Sequence, residues 1–151
     1  MLTKFTIMTN VKRVFVDTSY WIALIERGEK SHRQVAKSFI TLQKNGTQFF
    51  TNDYVLDEAW TRLITGNHFQ EAKMLKERVY LAENNREITL LYTDRKLFEQ
   101  AWETFVKFAD LKLSFTDALI ATTVRKLKID EILTLDRGFT KAGFSVRPML
   151  K

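Results

Sequence analysis

Short apolar runs alternate along the chain with longer segments in which apolar residues recur every three or four positions. The run Val14-Phe15-Val16 ends on Asp17, and a helical pattern follows from about residue 19 to residue 27. A short continuous run is typical of a buried strand, whereas the wider spacing is typical of an amphipathic helix. The same reasoning predicts further strands over residues 47–51, 88–92, 132–135 and 144–147. It predicts further helices over residues 31–44, 53–64, 67–82, 94–109 and 114–128, with Ser31, Asn67 and Asp94 as caps and Gly66 as a stop.

This alternating order favours an α/β fold with a mostly parallel sheet. In such sheets, ligands bind outside the carboxyl ends of the strands. Asp17 ends the first strand and Asp136 directly follows the strand over residues 132–135, so neighbouring strands would bring both carboxylates into one crevice. Each acid also has a purely structural explanation. Asp17 could be a turn or helix-capping residue, and Asp136 could begin an Asx turn with Arg137 and Gly138.

Two more acids lie on predicted helices. Asp117 is the last residue of Ser114-Phe115-Thr116-Asp117, which approximates a capping box with Asp in place of Glu. It also precedes the apolar stripe of its helix, so it could face a site at the edge of the core. Glu58 lies off the main apolar stripe of its helix, and a solvated surface position is the simpler interpretation, although apolar neighbours allow a half-buried one.

Composition limits the classes of protein to consider. The 151 residues suit one domain and include no cysteine, which excludes disulfides, thiolate zinc sites and a cysteine nucleophile and suits a reducing cytoplasm. No apolar run approaches the roughly 20 residues of a membrane-spanning helix. Lys4 and Lys12 interrupt any signal-peptide core, and Met8 is a second possible start. The net charge of +6 suits a polyanionic partner such as nucleic acid, or simply a soluble surface.

Other catalytic chemistries lack their usual motifs. His32 and His68 stand near predicted helix starts without zinc-ligand spacing, and the five glycines form no nucleotide-binding loop or nucleophile elbow. Tyr20 and Trp21 follow Asp17 closely, and they could stack on bases, although packing in the core or at a subunit contact is favoured. Helical spacing predicts four further aromatic residues in the core: Trp60, Phe98, Trp102 and Phe105.

Four segments together resemble the acidic motifs of the PIN-domain family, in the family's order. They are VFVDTSYWIAL, TNDYVLDEAWTRL, SFTDALIAT and ILTLDRGF, and they span nearly the whole chain. The small size is similar to that of the VapC-type toxins of toxin–antitoxin pairs. The resemblance implies a single domain over residues 1–151, with residues 1–12 as a possible N-terminal extension. It also implies a three-layer α/β/α fold with a mostly parallel central sheet.

The resemblance further implies a set of site residues. The four motif acids map to Asp17, Glu58, Asp117 and Asp136, with Asp57 as a competing register for the second. Hydroxyl groups that could support them belong to Thr18, Thr116 and Thr134. An oxygen-only donor set of this kind suits Mg²⁺ or Mn²⁺.

The activity that the resemblance implies is metal-dependent cleavage of RNA by a cytoplasmic toxin. Its expected partners are an RNA substrate, a cognate antitoxin protein and a second copy of the chain. Two alternatives remain: a catalytically silent PIN module that binds RNA or protein, and a structure-specific DNA nuclease. The small size, which leaves no room for added clamp elements, argues against the second.

Overall fold

Strands and helices alternate through residues 10–148, the part of the chain that the computed structural model describes. The strands are β1 (Arg13–Val16), β2 (Gln48–Asn52), β3 (Ile88–Leu91), β4 (Glu131–Leu133) and β5 (Val146–Arg147). The helices are α1 (Thr18–Ile25), α2 (His32–Lys44), α3 (Asp53–Thr65), α4 (Phe69–Asn84), α5 (Arg95–Lys107), α6 (Phe115–Lys126) and α7 (Gly138–Lys141). A short 3₁₀ turn over Ala109–Leu111 joins α5 to α6.

The strands form one parallel sheet in the order β3-β2-β1-β4-β5. Helix α1 packs against α2, α3 and α4, whereas α5 packs against α6. The connection from β3 to β4 runs back across the sheet, and right-handed crossovers therefore place α5 and α6 on the face opposite α1–α4. The predicted three-layer α/β/α fold with a parallel sheet is confirmed.

The two central strands are apolar because helices cover both of their faces. Val14, Phe15 and Val16 of β1 are completely buried, as are Ile132 and Leu133 of β4. Val16 pairs with Leu133 in the parallel register. The residues that follow these two strands, first Asp17 and Thr134, therefore emerge side by side at the carboxyl edge of the sheet.

Two predicted helix ends are fully confirmed, one is confirmed in position only, and one is wrong. The side chain of Asp94 accepts a hydrogen bond from the Leu97 N–H at the start of α5, and Gly66 ends α3. Ser31 occupies the cap position of α2 without a side-chain bond. Asn67 is no cap: its N–H closes a turn onto the Ile64 carbonyl with a φ of 64°, a left-handed conformation that asparagine tolerates, so α4 begins later.

The prediction of core aromatic residues is wrong for Phe98 and Trp102, which are 42% and 53% exposed. Trp60 and Phe105 are half-buried, whereas Tyr20 and Trp21 belong to the core. Ala101 is the one buried residue of α5. Helical spacing identifies an apolar face but not whether another element covers it, and much of the apolar face of α5 is left uncovered.

The predicted N-terminal extension and the alternative start at Met8 fall mainly on residues 1–9, outside the described residues. Within the described part, the Lys12 carbonyl accepts a hydrogen bond from the Gln48 N–H, which joins residue 12 to the edge of β2. No helix among residues 10–148 has the length and apolar character needed to cross a membrane.

Candidate active site

Asp17 lies at the centre of the carboxyl edge of the sheet. Its backbone N–H donates to the Leu133 carbonyl, and its side chain caps α1 by accepting from the Thr18 N–H at 2.7 Å. The other carboxylate oxygen accepts from the Thr134 hydroxyl, also at 2.7 Å. Asp17 is 5% exposed. The capping explanation is therefore correct for Asp17, and it is compatible with a place in a site.

Thr134 links Asp17 to Asp136. Its Oγ1 donates to Asp17 and accepts from the Asp136 N–H at 2.9 Å. Asp136 is exposed, and its side chain accepts from the Gly138 N–H, which forms the predicted Asx turn. One buried hydroxyl thus fixes the backbone of the second acid relative to the side chain of the first.

Glu58 comes from α3 on one side of the crevice. The Thr18 hydroxyl donates to Glu58 Oε2 at 3.2 Å, and the Arg62 guanidinium lies 3.8 Å from Oε1. Glu58 is half-buried, whereas Asp57 is exposed. The structure therefore favours Glu58 over Asp57 as the acid that faces Asp17 from α3.

Asp117 comes from α6 on the opposite face of the sheet. It completes the predicted capping box, because its N–H donates to Ser114 Oγ and its carboxylate accepts from the Ser114 N–H, each at 3.0 Å. Thr116 lines a cleft together with Glu58.

The acids influence one another electrostatically. Burial raises the pKa of Asp17 to about 7; the bonds from Thr134 and Thr18 oppose this rise, and the charges of Asp117 and Glu58 add to it. Burial also raises the pKa of Asp117, against the bonds from Ser114, and the charges of Asp136 and Glu58 contribute in the same direction. The crevice therefore disfavours further negative charge and would gain from a cation.

The donor set fits a hard divalent cation, because it consists of carboxylate and hydroxyl oxygens. As the side chains are oriented, however, no three acidic, histidine or cysteine groups among residues 10–148 lie close enough to share one ion. Asp17, Asp117 and Asp136 each accept a hydrogen bond from a nearby backbone N–H. The structure thus places all four acids around one crevice without gathering them into a closed cage.

Two further polar residues lie at the same edge: Ser19, which the sequence indicates either as a support for the site or as a simple helix-start hydroxyl, and Asn52, which sequence reasoning missed. Ser19 Oγ accepts from the Leu135 N–H at 2.9 Å and lies 3.3 Å from Thr134 Oγ1, so it joins α1 to the end of β4. Asn52 is 1% exposed and caps α3 through its carbonyl oxygen, while its side-chain amide nitrogen has no partner among the described residues. Their only signal in the sequence is a polar residue directly before or within a helix start.

A cavity of about 1170 Å³ lies elsewhere, between α2 and α4. It is larger than the cleft beside Glu58, but none of the four acids lines it. Size alone therefore does not identify the site in this chain; the convergence of titratable groups does.

Comparisons with known proteins agree with this geometry. The PIN domain family profile matches residues 14–145. The chain is 31% identical over 136 residues to the 23S rRNA-specific endonuclease VapC20 of Mycobacterium tuberculosis, covering 89% of this chain and 98% of that protein. The crystal structure of VapC20, described as a sarcin–ricin loop cleaving toxin, matches with a TM-score of 0.74 and 28% identity over 87% of this chain and 95% of that one.

A second solved structure shares the fold. It is VapBC2 from Rickettsia felis bound to a DNA fragment from its promoter, with a TM-score of 0.65 and 14% identity, covering 89% of this chain and 97% of that one. At this identity the match concerns the fold alone. The family profile and the VapC20 relative each cover most of the chain, and the chain belongs to the PIN-domain family.

Proposed function

We propose that this protein is a metal-dependent endoribonuclease and the toxin of a toxin–antitoxin pair. The observation that carries the proposal is the arrangement of Asp17, Glu58, Asp117 and Asp136 around one crevice at the carboxyl edge of the sheet. The raised pKa of the buried Asp17 carboxyl, caused mainly by burial, means that a cation in the crevice would be stabilising.

The four acids would hold Mg²⁺ or Mn²⁺, which when bound would polarise the scissile phosphate and lower the pKa of a water ligand. The roles of the neighbouring hydroxyl groups follow from their bonds. Thr134 holds the Asp17 carboxylate in one orientation, and Thr18 does the same for Glu58. Such bonds fix the direction from which each carboxylate approaches a ligand.

The substrate is an RNA, for which the VapC20 relative offers the most specific hypothesis. That protein is named as specific for 23S rRNA and described as cleaving the sarcin–ricin loop. The identity of 31% over nearly the whole length supports the same class of substrate, ribosomal RNA, for this chain. Its net charge of +6 favours association with RNA, because basic residues release counterions from the phosphate backbone.

Incubation of purified protein with total RNA tests the proposal. Cleavage is expected with Mg²⁺ or Mn²⁺ and none with EDTA, and a 23S rRNA fragment should appear before general degradation. Single-stranded and flap DNA, added in parallel, should stay intact. Cleavage that persists in EDTA, with protein stripped of metal, would contradict the metal mechanism. Cleavage of DNA alone would point to the DNA nuclease alternative.

A cognate antitoxin is the second part of the proposal, since a cell that makes a ribonuclease toxin needs its inhibitor. We expect the protein to act in the cytoplasm, where its RNA substrate lies. Expression of the chain alone should therefore arrest cell growth. Co-expression of the small protein encoded beside it should restore growth. Normal growth with a folded, metal-binding protein would contradict the toxin role and leave the nuclease role open.

A homodimer is the third part. The exposed apolar face of α5, formed by Phe98, Trp102 and Val106, supports it, because two copies of one patch can cover each other about a twofold axis. Light scattering should give twice the chain mass for wild type and a shift to monomer for Trp102→Gln. Tyr80→Gln, at an exposed aromatic of α4, is the matched control and should remain dimeric.

A further inference from the structure

A cleft of about 380 Å³ opens between α3 and α6, directly beside Glu58. We call it the α3–α6 cleft. Its lining combines an aromatic ring, acids, hydroxyl groups and one guanidinium: Tyr54, Asp57, Glu58, Thr61, Arg62, Ser114 and Thr116. It adjoins the acid crevice without being part of it, because Asp17 and Asp136 do not line it.

The helical repeat builds one wall of this cleft. Tyr54, Glu58 and Arg62 are four residues apart, so they lie on one stripe of α3. The buried residues of the same helix form the other side: Val55, Leu56, Ala59 and Leu63. The stripe that faces the cleft is thus polar along most of its length, with its aromatic residue in the first turn and its cation in the last.

The aromatic end of the cleft has support from behind. The ring of Tyr54 lies 6.2 Å from that of Phe115, which in turn lies 4.9 Å from Phe98 and 5.8 Å from Phe105. Rings packed in this way form a stable apolar wall. A nucleotide base can pack against such a wall whatever its sequence, because every base has a π face.

At the cationic end of the cleft, the guanidinium of Arg62 can still bind an anion. The Arg62 guanidinium is 3.8 Å from Glu58 Oε1, which is longer than a hydrogen bond, and its side chain is 55% exposed. An exposed pair at this distance contributes little to stability. The planar fork of N–H donors matches the oxygens of a phosphate group.

We infer that the α3–α6 cleft binds one unpaired nucleotide next to the scissile phosphate. Arg62 contacts a backbone phosphate, and the base packs against the ring of Tyr54, which lines the cleft and is itself packed against Phe115. The volume is near the lower end of small-ligand sites, which suits a single nucleotide and not a duplex. The inference rests on the proposed function, and it makes an RNA loop, with its bases turned out, the preferred substrate.

Arg62 also offsets part of the negative charge of the acid crevice. Four carboxylates repel the phosphate backbone, and a cation one helical turn from Glu58 offsets part of this repulsion. The residue therefore acts in binding the substrate, not in the bond-breaking step. Its loss should weaken binding of RNA even where no cleavage is possible.

RNA binding in the cleavage-deficient Asp17→Asn background, with Mn²⁺ present, tests the inference. The probes are a labelled hairpin with the sarcin–ricin loop sequence and an unstructured oligonucleotide. Arg62→Gln should weaken binding of both about tenfold, and the slope of log K against log salt should fall by about 0.7, the value for one phosphate contact on single strands. Arg62→Lys should keep the slope.

Arg78→Gln is the matched control, because Arg78 is an exposed arginine on α4, away from the cleft. It removes the same charge and should leave affinity and slope nearly unchanged. Equal losses for the two variants would overturn the inference, since they would reflect net charge alone. Thermal melts of both variants should coincide with the parent, which excludes misfolding as the cause.

A scan of single neutral methylphosphonate linkages locates the contact. With Arg62 present, neutralising one particular linkage next to the cleavage position should lower the affinity of the protein for the RNA. With Arg62→Gln, neutralising that linkage should cost nothing further, because the two changes remove the same interaction. Additive losses at every linkage would overturn the inference.

Failure of the inference and failure of the proposed function are distinguishable. Protein with an intact Asp17 is incubated in parallel with total RNA and Mn²⁺. If it cuts RNA while Arg62→Gln binds as well as its parent, the inference alone is wrong. If the folded protein neither binds nor cuts any RNA, the proposed function is wrong and the inference falls with it.

Discussion

Glu131 and Asp17 lie on the same pair of central strands, but the charges around them have opposite signs. Glu131 begins β4, opposite Val14, and Asp17 follows the far end of β1. They are about 10 Å apart along the strand direction. Glu131 has two basic partners, since the Arg147 guanidinium lies 2.7 Å from Oε2 and the Lys12 ammonium 2.6 Å from Oε1.

The pKa values of the two acids follow these surroundings. Burial alone would raise the pKa of Glu131, but the bonds with Arg147 and Lys12 outweigh it and lower the pKa below the usual 4.5. Burial raises the pKa of Asp17 to about 7, and the acids around it push in the same direction. Both acids are fixed by hydrogen bonds, but the bonds to Asp17 come from neutral groups.

Glu131 thus belongs to an ion-pair network that stabilises the fold, whereas Asp17 belongs to a cluster of acids that lowers stability. Glu131 has its counter-charge within the chain and joins β4 to β5. Asp17 lies in a crevice where the charges of Asp117 and Glu58 add to the cost of its burial, and its side-chain hydrogen-bond donors, the Thr18 N–H and the Thr134 hydroxyl, are neutral. Perturbation of this second kind is typical of functional sites.

The largest expected effect separates the two acids by activity. Asp17→Asn and Asp117→Asn should each lower the rate of RNA cleavage in Mn²⁺ by about 1000-fold or more, because each removes a charged ligand of the proposed metal. Glu131→Gln removes the same charge from the same sheet and should retain cleavage. The measurement is the initial rate of product formation from a labelled RNA. Equal losses for Asp17→Asn and Glu131→Gln would contradict the assignment.

A smaller effect tests the hydroxyl that links Asp17 to Asp136. Thr134→Val keeps the shape but leaves Asp17 without its second bond, so cleavage should fall about 10- to 100-fold. Thr51→Val is the control, because the buried Thr51 hydroxyl donates to the Val16 carbonyl and accepts from the Trp21 ring N–H, and these bonds involve no acid side chain. The Thr51→Val variant should be less stable than wild type but should keep the wild-type rate of RNA cleavage when it is assayed below its melting temperature. The opposite pattern would assign Thr134 a purely structural role.

The ion-pair network predicts a stability loss with a defined pH dependence. Glu131→Gln should lower the free energy of unfolding by about 1 kcal/mol at pH 7, since it breaks two charge-assisted contacts. The folded pKa of Glu131 is depressed, so the stabilisation is present above the usual value of 4.5 and is lost as the pH falls through the folded pKa. Urea unfolding at pH 7 and pH 3.5 checks both points. A difference that is the same at both pH values would contradict the electrostatic explanation.

The sequence allowed prediction of the fold, and it placed three of the four acids near one edge because each of these three stands at or near a boundary between elements. Asp17 and Asp136 follow apolar runs that end as strands, and Asp117 lies in the first turn of a helix. The predicted ends of these elements therefore indicated that the three acids lie near one edge of the sheet. The motifs of the family resemblance then selected Glu58, whose periodicity favours the surface. Its half-buried position depends on Thr18 of another element, which no local pattern contains.

The α3–α6 cleft and the exposed face of α5 could not be predicted in the same way. Tyr54 and Arg62 belong to an ordinary polar stripe until α6 is placed opposite them. Phe98 and Trp102 fit a core pattern, and only the tertiary structure shows that both stay largely exposed although Phe98 contacts Phe115 of α6. Each case depends on which surfaces of separate elements meet, and periodicity within one element does not contain that information.

The most direct test of the central claim is thermal unfolding of wild type, Asp17→Asn and Glu131→Gln, in EDTA and in Mn²⁺. In EDTA at pH 8, Asp17→Asn should be more stable than wild type by about 1 kcal/mol, because the buried charge is removed. The folded pKa of Asp17 is raised, so its penalty is full above about pH 7 and fades as the pH falls toward 3.8, and the advantage of the variant should shrink likewise. Mn²⁺ should raise the melting temperature of wild type and Glu131→Gln but hardly that of Asp17→Asn. An Asp17→Asn variant that matches wild type in EDTA and keeps the full Mn²⁺ shift would show that Asp17 is only a helix cap.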